Sequence, residues 1–485
     1  MVYNKEGRIK MKKFLNFIFV ITIIALVFSG CEDKTNLTAP GTPNPVNGSA
    51  DLTRFVTIGN SLTAGYQSGA LYKSAQEYSY GNLIAQQVGT TFEQPLVSDP
   101  GVGGRMEIKS VDFATNQINI VYEGSTGIPL NLNYAAPYNN LGVPGALLYD
   151  VLNATDSTNC ASGLVGSPNP LFNLILRGIG TQFEEAKMLH PTFVTLWIGN
   201  NDVLGYATSG GVSPSAPTPV STFQYLYSLV ADSLASLGAN VVVANIPNVT
   251  AIPFFTTVGP LMAQALSQAG VSGIYYQKSD GSTTNIATTS DLLTGKVLIT
   301  LPGMTYASLI GHPTGQFYRD HGYPALPPGI DTTKPFGVTP NNPWPNALIL
   351  DPDEITTALN TTADFNTAIA QLASQKNFGL VDINSFFDKI RAGDFKGGTM
   401  INGVKFYTSY ITGGLFGLDG VHPTDQGQAI IANEFIKEIN SKFNASIPLI
   451  NVATIPGSII LAKKSFYHGI QLPHFEPGSF NHLLY

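Results

Sequence analysis

Short apolar segments alternate with longer amphipathic segments along the chain from Arg54 onward. Four of the apolar segments, residues 55–58, 193–198, 241–246 and 378–381, show no regular alternation of apolar and polar positions. Strands of a parallel sheet have this continuous apolar character because helices cover both of their faces. The pattern therefore predicts an α/β fold, with a mostly parallel, doubly wound sheet between two layers of helices.

Two of the amphipathic segments have recognisable helix ends. An apolar stripe at helical spacing occupies residues 223–237 and stops at Gly238. A second segment begins at Asp351, with Pro352 at the first helical position and Glu354 where a capping box needs an acid. Both segments are predicted to be helices.

Two stretches, residues 66–137 and 253–345, have no strong period and are rich in Gly, Pro, Thr, Asn and Tyr. We expect them to be elaborated loops or small subdomains inserted into one α/β domain at residues 51–445, where binding or lid functions often reside. Residues 446–485 are apolar but irregular, and their sequence indicates no function.

The N-terminal residues have the features of an export signal. Met11 is followed by two lysines, an apolar run over residues 17–28, and Ser-Gly before Cys31. The apolar run has about a dozen residues, whereas a membrane-spanning helix needs about 20. We expect residues 1–30 to be a signal peptide whose true start is Met11.

Small residues directly before Cys31 resemble the lipobox of bacterial lipoproteins, although Phe28 stands where Leu is usual. The resemblance implies that Cys31 is lipidated and that residues 31–50 form a flexible tether. It also implies an exported protein anchored to a membrane of the bacterial cell envelope. The alternative is an ordinary secretory peptide in which Cys31 is incidental.

Charge and cysteine content exclude some classes of function. The chain has 25 basic and 32 acidic residues, and five of the basic residues but only one acid lie in the first 13 positions. The remainder has 20 basic and 31 acidic residues, a net charge of −11 that disfavours nucleic-acid binding. Cys31 and Cys160 are too few for a disulfide framework or a cysteine-based zinc site, so Cys160 is expected to be a buried or partly buried free thiol.

A candidate nucleophile follows the first predicted strand in residues 59–65, whose sequence is Gly-Asn-Ser-Leu-Thr-Ala-Gly. Ser61 lies just past the carboxyl end of the strand, where doubly wound sheets bind ligands, and Gly59 permits a sharp turn. Taken alone, a serine in such a turn is more often a helix cap.

A candidate base and its acid occur together near the end of the domain. Of the seven histidines, only His422 has a carboxylate three residues before it, Asp419. The acid can bond one ring nitrogen while the other faces a nucleophile. Thr424 then caps a predicted helix. Without further information, this segment could equally be a surface turn.

Two further segments could bind a developing negative charge. Asn201 follows the predicted strand at residues 193–198, and its side-chain amide could donate to an oxyanion. Residues 140–146 contain Gly142 and Gly145, and either glycine would allow a backbone N–H to approach a substrate closely. Neither segment is diagnostic by itself.

Together, residues 59–65, 140–146, 199–202 and 419–423 occur in the order and with the residue types of the SGNH (GDSL-type) hydrolases, a family of esterases and lipases. The chain resembles this family over most of residues 54–444. The resemblance implies a three-layer α/β/α sandwich similar to flavodoxin, with the two insertions lying outside the likeness.

The resemblance also implies roles for individual residues. Ser61 would be the nucleophile, with His422 as general base and then acid and Asp419 as the group that orients its imidazole. The oxyanion hole would consist of the Ser61 and Gly145 N–H groups and the Asn201 side-chain amide, with Gly142 as the competing glycine.

The function expected from the resemblance is hydrolysis of acyl esters through an acyl-enzyme, without a metal or an organic cofactor. The Gly-x-Ser-x-Gly, His-Glu-x-x-His and Walker patterns of other mechanisms do not occur in the chain. Two alternatives remain open at this point: a carbohydrate O-acetyl esterase of the same fold, and a surface lipoprotein that binds glycan or lipid without turning it over.

Overall fold

The computed structural model describes residues 44–112, 117–213 and 216–457, together with Leu483. The described residues from Pro45 onward belong to one compact unit. The predicted signal peptide, its start at Met11, the lipidation site Cys31 and most of the tether lie outside the described residues. In the part of the chain that is described, no helix has the length and apolar character needed to cross a membrane.

The strands are β1 Phe55–Gly59, β2 Arg105–Asp112, β3 Gln117–Glu123, β4 Asn140–Gly142, β5 Phe193–Trp197, β6 Asn240–Ala244, β7 Gly273–Tyr276, β8 Asn285–Thr288, β9 Leu298–Ile299, β10 Ile349–Leu350, β11 Gly379–Val381, β12 Thr399–Ile401 and β13 Val404–Phe406. The helices are α1 Ser61–Ala64, α2 Lys73–Gln76, α3 Tyr80–Val88, α4 Asp150–Asn153, α5 Ala161–Leu164, α6 Leu171–Ile175, α7 Gln182–Met188, α8 Asn201–Thr208, α9 Val220–Ser236, α10 Pro253–Thr256, α11 Val258–Gln268, α12 Thr289–Thr294, α13 Met304–Ala307, α14 Gln316–Asp320, α15 Pro352–Gln375, α16 Ile383–Asp394 and α17 Asp425–Phe443.

Five strands form the central sheet in the order β11-β6-β5-β1-β4, and every pair in it is parallel. If these five strands alone are renumbered 1 to 5 in chain order, their order from the β4 edge is 2-1-3-4-5, which is the order of flavodoxin-like sheets. The predicted doubly wound α/β fold is therefore confirmed. All four predicted strands are present, with bounds that shift by one or two residues, whereas the three-residue strand β4 was not predicted.

The sheet is covered on both faces because neighbouring residues of each strand point to opposite sides. Phe55 and Phe193 pack with helices α3 and α17 in one apolar cluster. Val56 and Val194 belong to a second cluster, which includes residues of α9 and α15. Each cluster joins one face of the sheet to a layer of helices. The sheet and the two helical layers are the three layers of the predicted sandwich.

Helix ends lie close to where the sequence predicts them. Helix α9 ends at Ser236, and Gly238 has φ +66°. The N-cap of α15 is a capping box in which the Asp351 carboxylate accepts the Glu354 N–H at 2.9 Å and the Asp351 N–H donates back to Glu354 at 2.8 Å. Thr424 Oγ1 accepts the Gly427 N–H at 3.1 Å and caps α17.

Both stretches that the sequence pattern left without assigned elements contain regular structure. Residues 66–137 include α2, α3 and the antiparallel hairpin β2–β3. Helix α3 packs against α17 and so belongs to the core of the domain. Residues 253–345 include α10 to α14 and the hairpin β7–β8.

Candidate active site

Ser61 begins helix α1 two residues after the end of β1. A Cβ atom on Gly59 would lie 2.2 Å from Thr63 Oγ1, so this tight turn accepts only glycine. The Asn60 side chain caps the helix by accepting the Leu62 N–H at 3.1 Å. Strand β1 lies between β4 and β5, where the sheet order reverses, and ligands of doubly wound sheets bind at this edge.

The predicted base and acid are in direct contact. His422 Nδ1 lies 3.0 Å from Asp419 Oδ2, and both side chains are buried. A carboxylate only accepts hydrogen bonds, so in the neutral ring the hydrogen is on Nδ1, and Nε2 keeps a lone pair. This is the arrangement that a general base requires.

Backbone donors surround the other lone pairs of Asp419. Its Oδ1 atom accepts the N–H groups of Val421 and His422, both at 2.8 Å, and Oδ2 accepts the Gly69 N–H at 2.9 Å. Burial alone would raise the pKa of Asp419, but its interactions with His422 and these backbone N–H groups hold the pKa below its ordinary value. The carboxyl group is therefore ionised at neutral pH.

Residues of the first insertion support the His422 loop. The ring of Tyr66 packs edge-on against His422, with ring centroids 4.8 Å apart, and burial raises the pKa of Tyr66 well above its ordinary value. Ser68 Oγ accepts the Leu418 N–H at 3.1 Å. Sequence reasoning missed Tyr66, Ser68 and Gly69, and no local motif could have indicated them because their partners lie about 350 positions away.

The two candidate glycines of the oxyanion hole differ in structure. The Gly142 N–H, in β4, donates to Asn140 Oδ1 at 3.0 Å, and a Cβ atom there would lie 2.5 Å from the Ala64 nitrogen. Gly145 follows the strand with φ +82°, and its N–H has no hydrogen-bond partner among the described residues. Of these two N–H groups, therefore, the one of Gly145 has no acceptor within the described structure, whereas the one of Gly142 is already occupied.

Asn201 lies beside Gly145. The Asn201 side-chain amide donates to the carbonyl oxygen of Ala146 at 2.9 Å, which leaves its second hydrogen for another acceptor. The structure thus joins the segments that contain Asn201 and Gly145, which are distant in the sequence.

Ser61, His422 and Asn201 line one cavity at the carboxyl ends of the central strands. Including its open mouth, the cavity has a volume of about 830 Å³. Asp419 lies behind His422, and Gly145 lines an adjoining cleft that also contains Asn201. Apolar side chains make up most of the cavity wall, among them Ile383, Phe386, Phe387, Ile390, Leu415 and Phe416.

Metal ligands are not clustered in the part of the chain that the structure describes. No group of three or more His, Cys, Asp or Glu side chains there could hold a metal ion. Cys160 is a buried free thiol, as predicted, and its Sγ accepts the Gly163 N–H at the start of α5.

A family model described as GDSL-like Lipase/Acylhydrolase matches residues 55–278 and 324–435, more than half of the chain. The matched ranges contain all five of the predicted site residues, whereas the unmatched interval falls inside the second insertion. No curated protein matches the chain.

Proposed function

Because the chain belongs to the GDSL-like lipase/acylhydrolase family, and is therefore an enzyme that hydrolyses ester bonds, we propose that Ser61, His422 and Asp419 are its catalytic triad. We propose further that its preferred substrates are esters of apolar acyl chains. The observation that carries the choice of substrate is the apolar cavity lined by both Ser61 and His422.

The proposed reaction proceeds through an acyl-enzyme. Ser61 Oγ attacks the ester carbonyl while His422 Nε2 takes its proton, and Asp419 stabilises the imidazolium that forms. The Ser61 N–H, the Gly145 N–H and the Asn201 amide then donate to the oxyanion. The alcohol leaves with the proton from His422, and water repeats the sequence on the acyl-enzyme.

The cavity wall favours a long acyl group over acetyl. Burying one methylene group stabilises a complex by about 0.8 kcal/mol, a factor of about four in binding. Ile383, Phe387 and Ile390 of α16 offer such burial beyond Ser61. An acetyl group would leave most of this surface without a partner, so the geometry gives the O-acetyl esterase alternative less support.

The test is a chain-length series of p-nitrophenyl esters with the wild type, Ser61→Ala and His422→Ala. We expect kcat/KM to rise from acetyl to octanoyl, and both variants to lose about three orders of magnitude or more. Ser236→Ala, at an exposed position near the end of α9, serves as the control and should match the wild type.

Two results would contradict the proposal in different ways. Full activity of Ser61→Ala would show that Ser61 is not the nucleophile and would contradict the proposed triad. A preference for acetyl esters, with no gain from longer chains, would leave the triad intact and favour the O-acetyl esterase.

We also propose that the mature protein is a lipoprotein of the bacterial cell envelope that begins at Cys31. The support is sequence alone: a charged start, a short apolar run and small residues before the cysteine. Mass spectrometry of the N-terminal peptide from the native host tests this proposal. The expected result is an S-diacylglyceryl group on an N-terminal Cys31, with or without a third acyl chain on its amino group. A Cys31 without lipid, or an N-terminus at another position, would refute lipidation.

A further inference from the structure

A second cleft adjoins the apolar cavity that Ser61 and His422 line, which we call the acyl cavity. Gly145, Leu147 and Tyr149 line it, together with Asp202 and other residues of α8. Asn201 lines both this cleft and the cavity that contains Ser61. The two spaces therefore meet at the position of the proposed oxyanion donors.

Hydrogen bonds connect the segment that follows Gly145 with helix α8 at that position. The Asn201 amide donates to Ala146 O at 2.9 Å, and the Leu148 N–H donates to Asp202 Oδ2 at 2.9 Å. An ester has two parts on opposite sides of its carbonyl carbon. With the acyl chain in the apolar cavity, the cleft next to Gly145 is the space left for the alcohol.

The chemistry of the cleft differs from that of the acyl cavity. Eight of the described residues that line it have a hydroxyl group, and none of them is Lys, Arg or His. Its one carboxylate, Asp202, already accepts the Leu148 N–H and the Thr218 hydroxyl, the latter at 2.8 Å. Thr208, Ser209 and Thr218 already donate their hydroxyl hydrogens to acceptors of the protein. The hydroxyls of Tyr149, Ser167 and Thr222 make no hydrogen bond within the described residues, so these uncharged groups can both donate to a ligand and accept from it.

This lining favours one class of alcohol. A phosphate group in a binding site is normally met by Arg, Lys or several backbone N–H groups, and the described lining has no cationic side chain. Hydroxyl groups of a ligand match hydroxyl groups of the cleft, while Leu147, Val165 and Leu226 can contact its C–H surfaces. The alcohol that fits is therefore uncharged and polyhydroxylated.

We propose that this cleft binds the alcohol part of the ester, and that this alcohol is an uncharged polyhydroxy compound such as glycerol or a sugar. The inference rests on the proposed function and deepens it, because it identifies the physiological substrate as a neutral acylglycerol or acyl sugar rather than a phospholipid.

The experiment compares octanoyl esters that differ only in the alcohol, with the full-length protein. Monooctanoylglycerol and propyl octanoate have the same carbon skeleton, and we expect kcat/KM to be about tenfold or more higher for the glycerol ester. Octanoyl glucose tests whether a sugar, rather than glycerol, is the polyhydroxy alcohol that the cleft binds. Octanoyl lysophosphatidylcholine tests the charged headgroup and should be the poorest of the four.

Two variants remove hydroxyl groups from the cleft with little change of shape. Tyr149→Phe and Thr222→Val each replace a residue that lines the cleft, and Thr222 is in the first turn of α9. In the double variant we expect the ratio of kcat/KM for the glycerol ester to that for the propyl ester to fall about fivefold or more. Damage to the fold would lower both rates together and leave this ratio unchanged.

The outcomes are distinguishable. Equal use of the glycerol, glucose and propyl esters, a preference for the phosphatidylcholine analogue, or an unchanged ratio in the double variant would overturn the proposal. A protein inactive on every ester, p-nitrophenyl octanoate included, would instead contradict the proposed function. The cleft is then tested by binding of the ether 1-O-octylglycerol, whose Kd should rise about fivefold in the double variant and would stay constant if the cleft does not bind it.

Discussion

At the scale of single residues, Asp419 is a carboxylate that remains charged although it is fully buried. Burial disfavours the ionised form, and only donors aimed at each oxygen can offset that cost. Three backbone N–H groups and the His422 ring donate hydrogen bonds to the two carboxyl oxygens, with donor–acceptor distances of 2.8–3.0 Å. Because every acceptor position is occupied, the side chain cannot rotate without losing a bond, and the orientation of His422 is fixed with it.

The substitution Asp419→Asn tests this orienting role. An amide has one acceptor oxygen, so an NH₂ group would face either His422 Nδ1 or the backbone donors. Facing Nδ1, it stabilises the wrong tautomer, with hydrogen on Nε2. We expect kcat to fall by about 10³-fold to 10⁴-fold with little change in KM, measured on p-nitrophenyl octanoate.

Asp291→Asn is a matched control, since Asp291 caps helix α12 outside the proposed site. It should leave kcat unchanged. A kcat of Asp419→Asn within tenfold of the wild type would show that His422 does not depend on this carboxylate.

At the scale of elements, the segment of residues 144–148 has almost no secondary structure, yet side chains hold it on both sides of Gly145. Four hydrogen bonds of 2.7–2.9 Å reach its backbone. They come from the side chains of Asp150, Asn169, Asn201 and Asp202. The position of the Gly145 N–H therefore depends on side chains from other elements.

Asp202 offers a direct test of that dependence. In Asp202→Ala the Leu148 N–H loses its acceptor, so the segment that contains Gly145 is held less firmly. Because Gly145 is proposed as an oxyanion donor, which acts mainly in the transition state, we expect kcat to fall about 10-fold to 100-fold with KM nearly constant. Asp202→Asn can still accept from Leu148 and can donate to Thr218, so it should retain kcat within about threefold.

The control for Asp202→Ala is Asp351→Ala, which removes another buried carboxylate, the cap of α15. It should lower the Tm without lowering the kcat of the folded enzyme. Equal losses of kcat in both alanine variants would show that Asp202 supports only the fold.

The extent to which the sequence predicts these elements follows from the range of the interactions involved. Strands β5 and β6 and the capped helix α15 depend on local apolar runs and cap residues, so the sequence pattern predicts them. Strand β4 is too short for any period, and α3 mixes Tyr, Gly and Asn with its apolar residues. Contacts such as Gly69 to Asp419 join residues 350 positions apart, and no window of sequence contains both.

At the scale of the whole molecule, several buried acids hold protons more tightly than an unfolded chain would. Burial raises the pKa of Asp150 to about 6 and the pKa of Asp202, Glu354 and Asp425 to about 7. Between about pH 4 and pH 7 the unfolded chain releases these protons while the folded chain keeps them. Stability therefore falls as the pH rises through this range, and the protein should be most stable under mildly acidic conditions.

Glu185 of α7 shows this effect most strongly, because burial raises its pKa to about 8 and neither carboxyl oxygen has a hydrogen-bond partner in the described parts of the chain. Glu185→Gln has nothing to ionise, so its Tm should exceed that of the wild type at pH 8 by a margin that shrinks toward pH 5. Exposed Glu93→Gln removes the same charge and should show no such trend. The measurement is Tm against pH for the three proteins. A Tm of Glu185→Gln below that of the wild type at every pH would mean that the carboxyl group makes a bond that the amide cannot replace, and the acidic stability optimum would then need another origin.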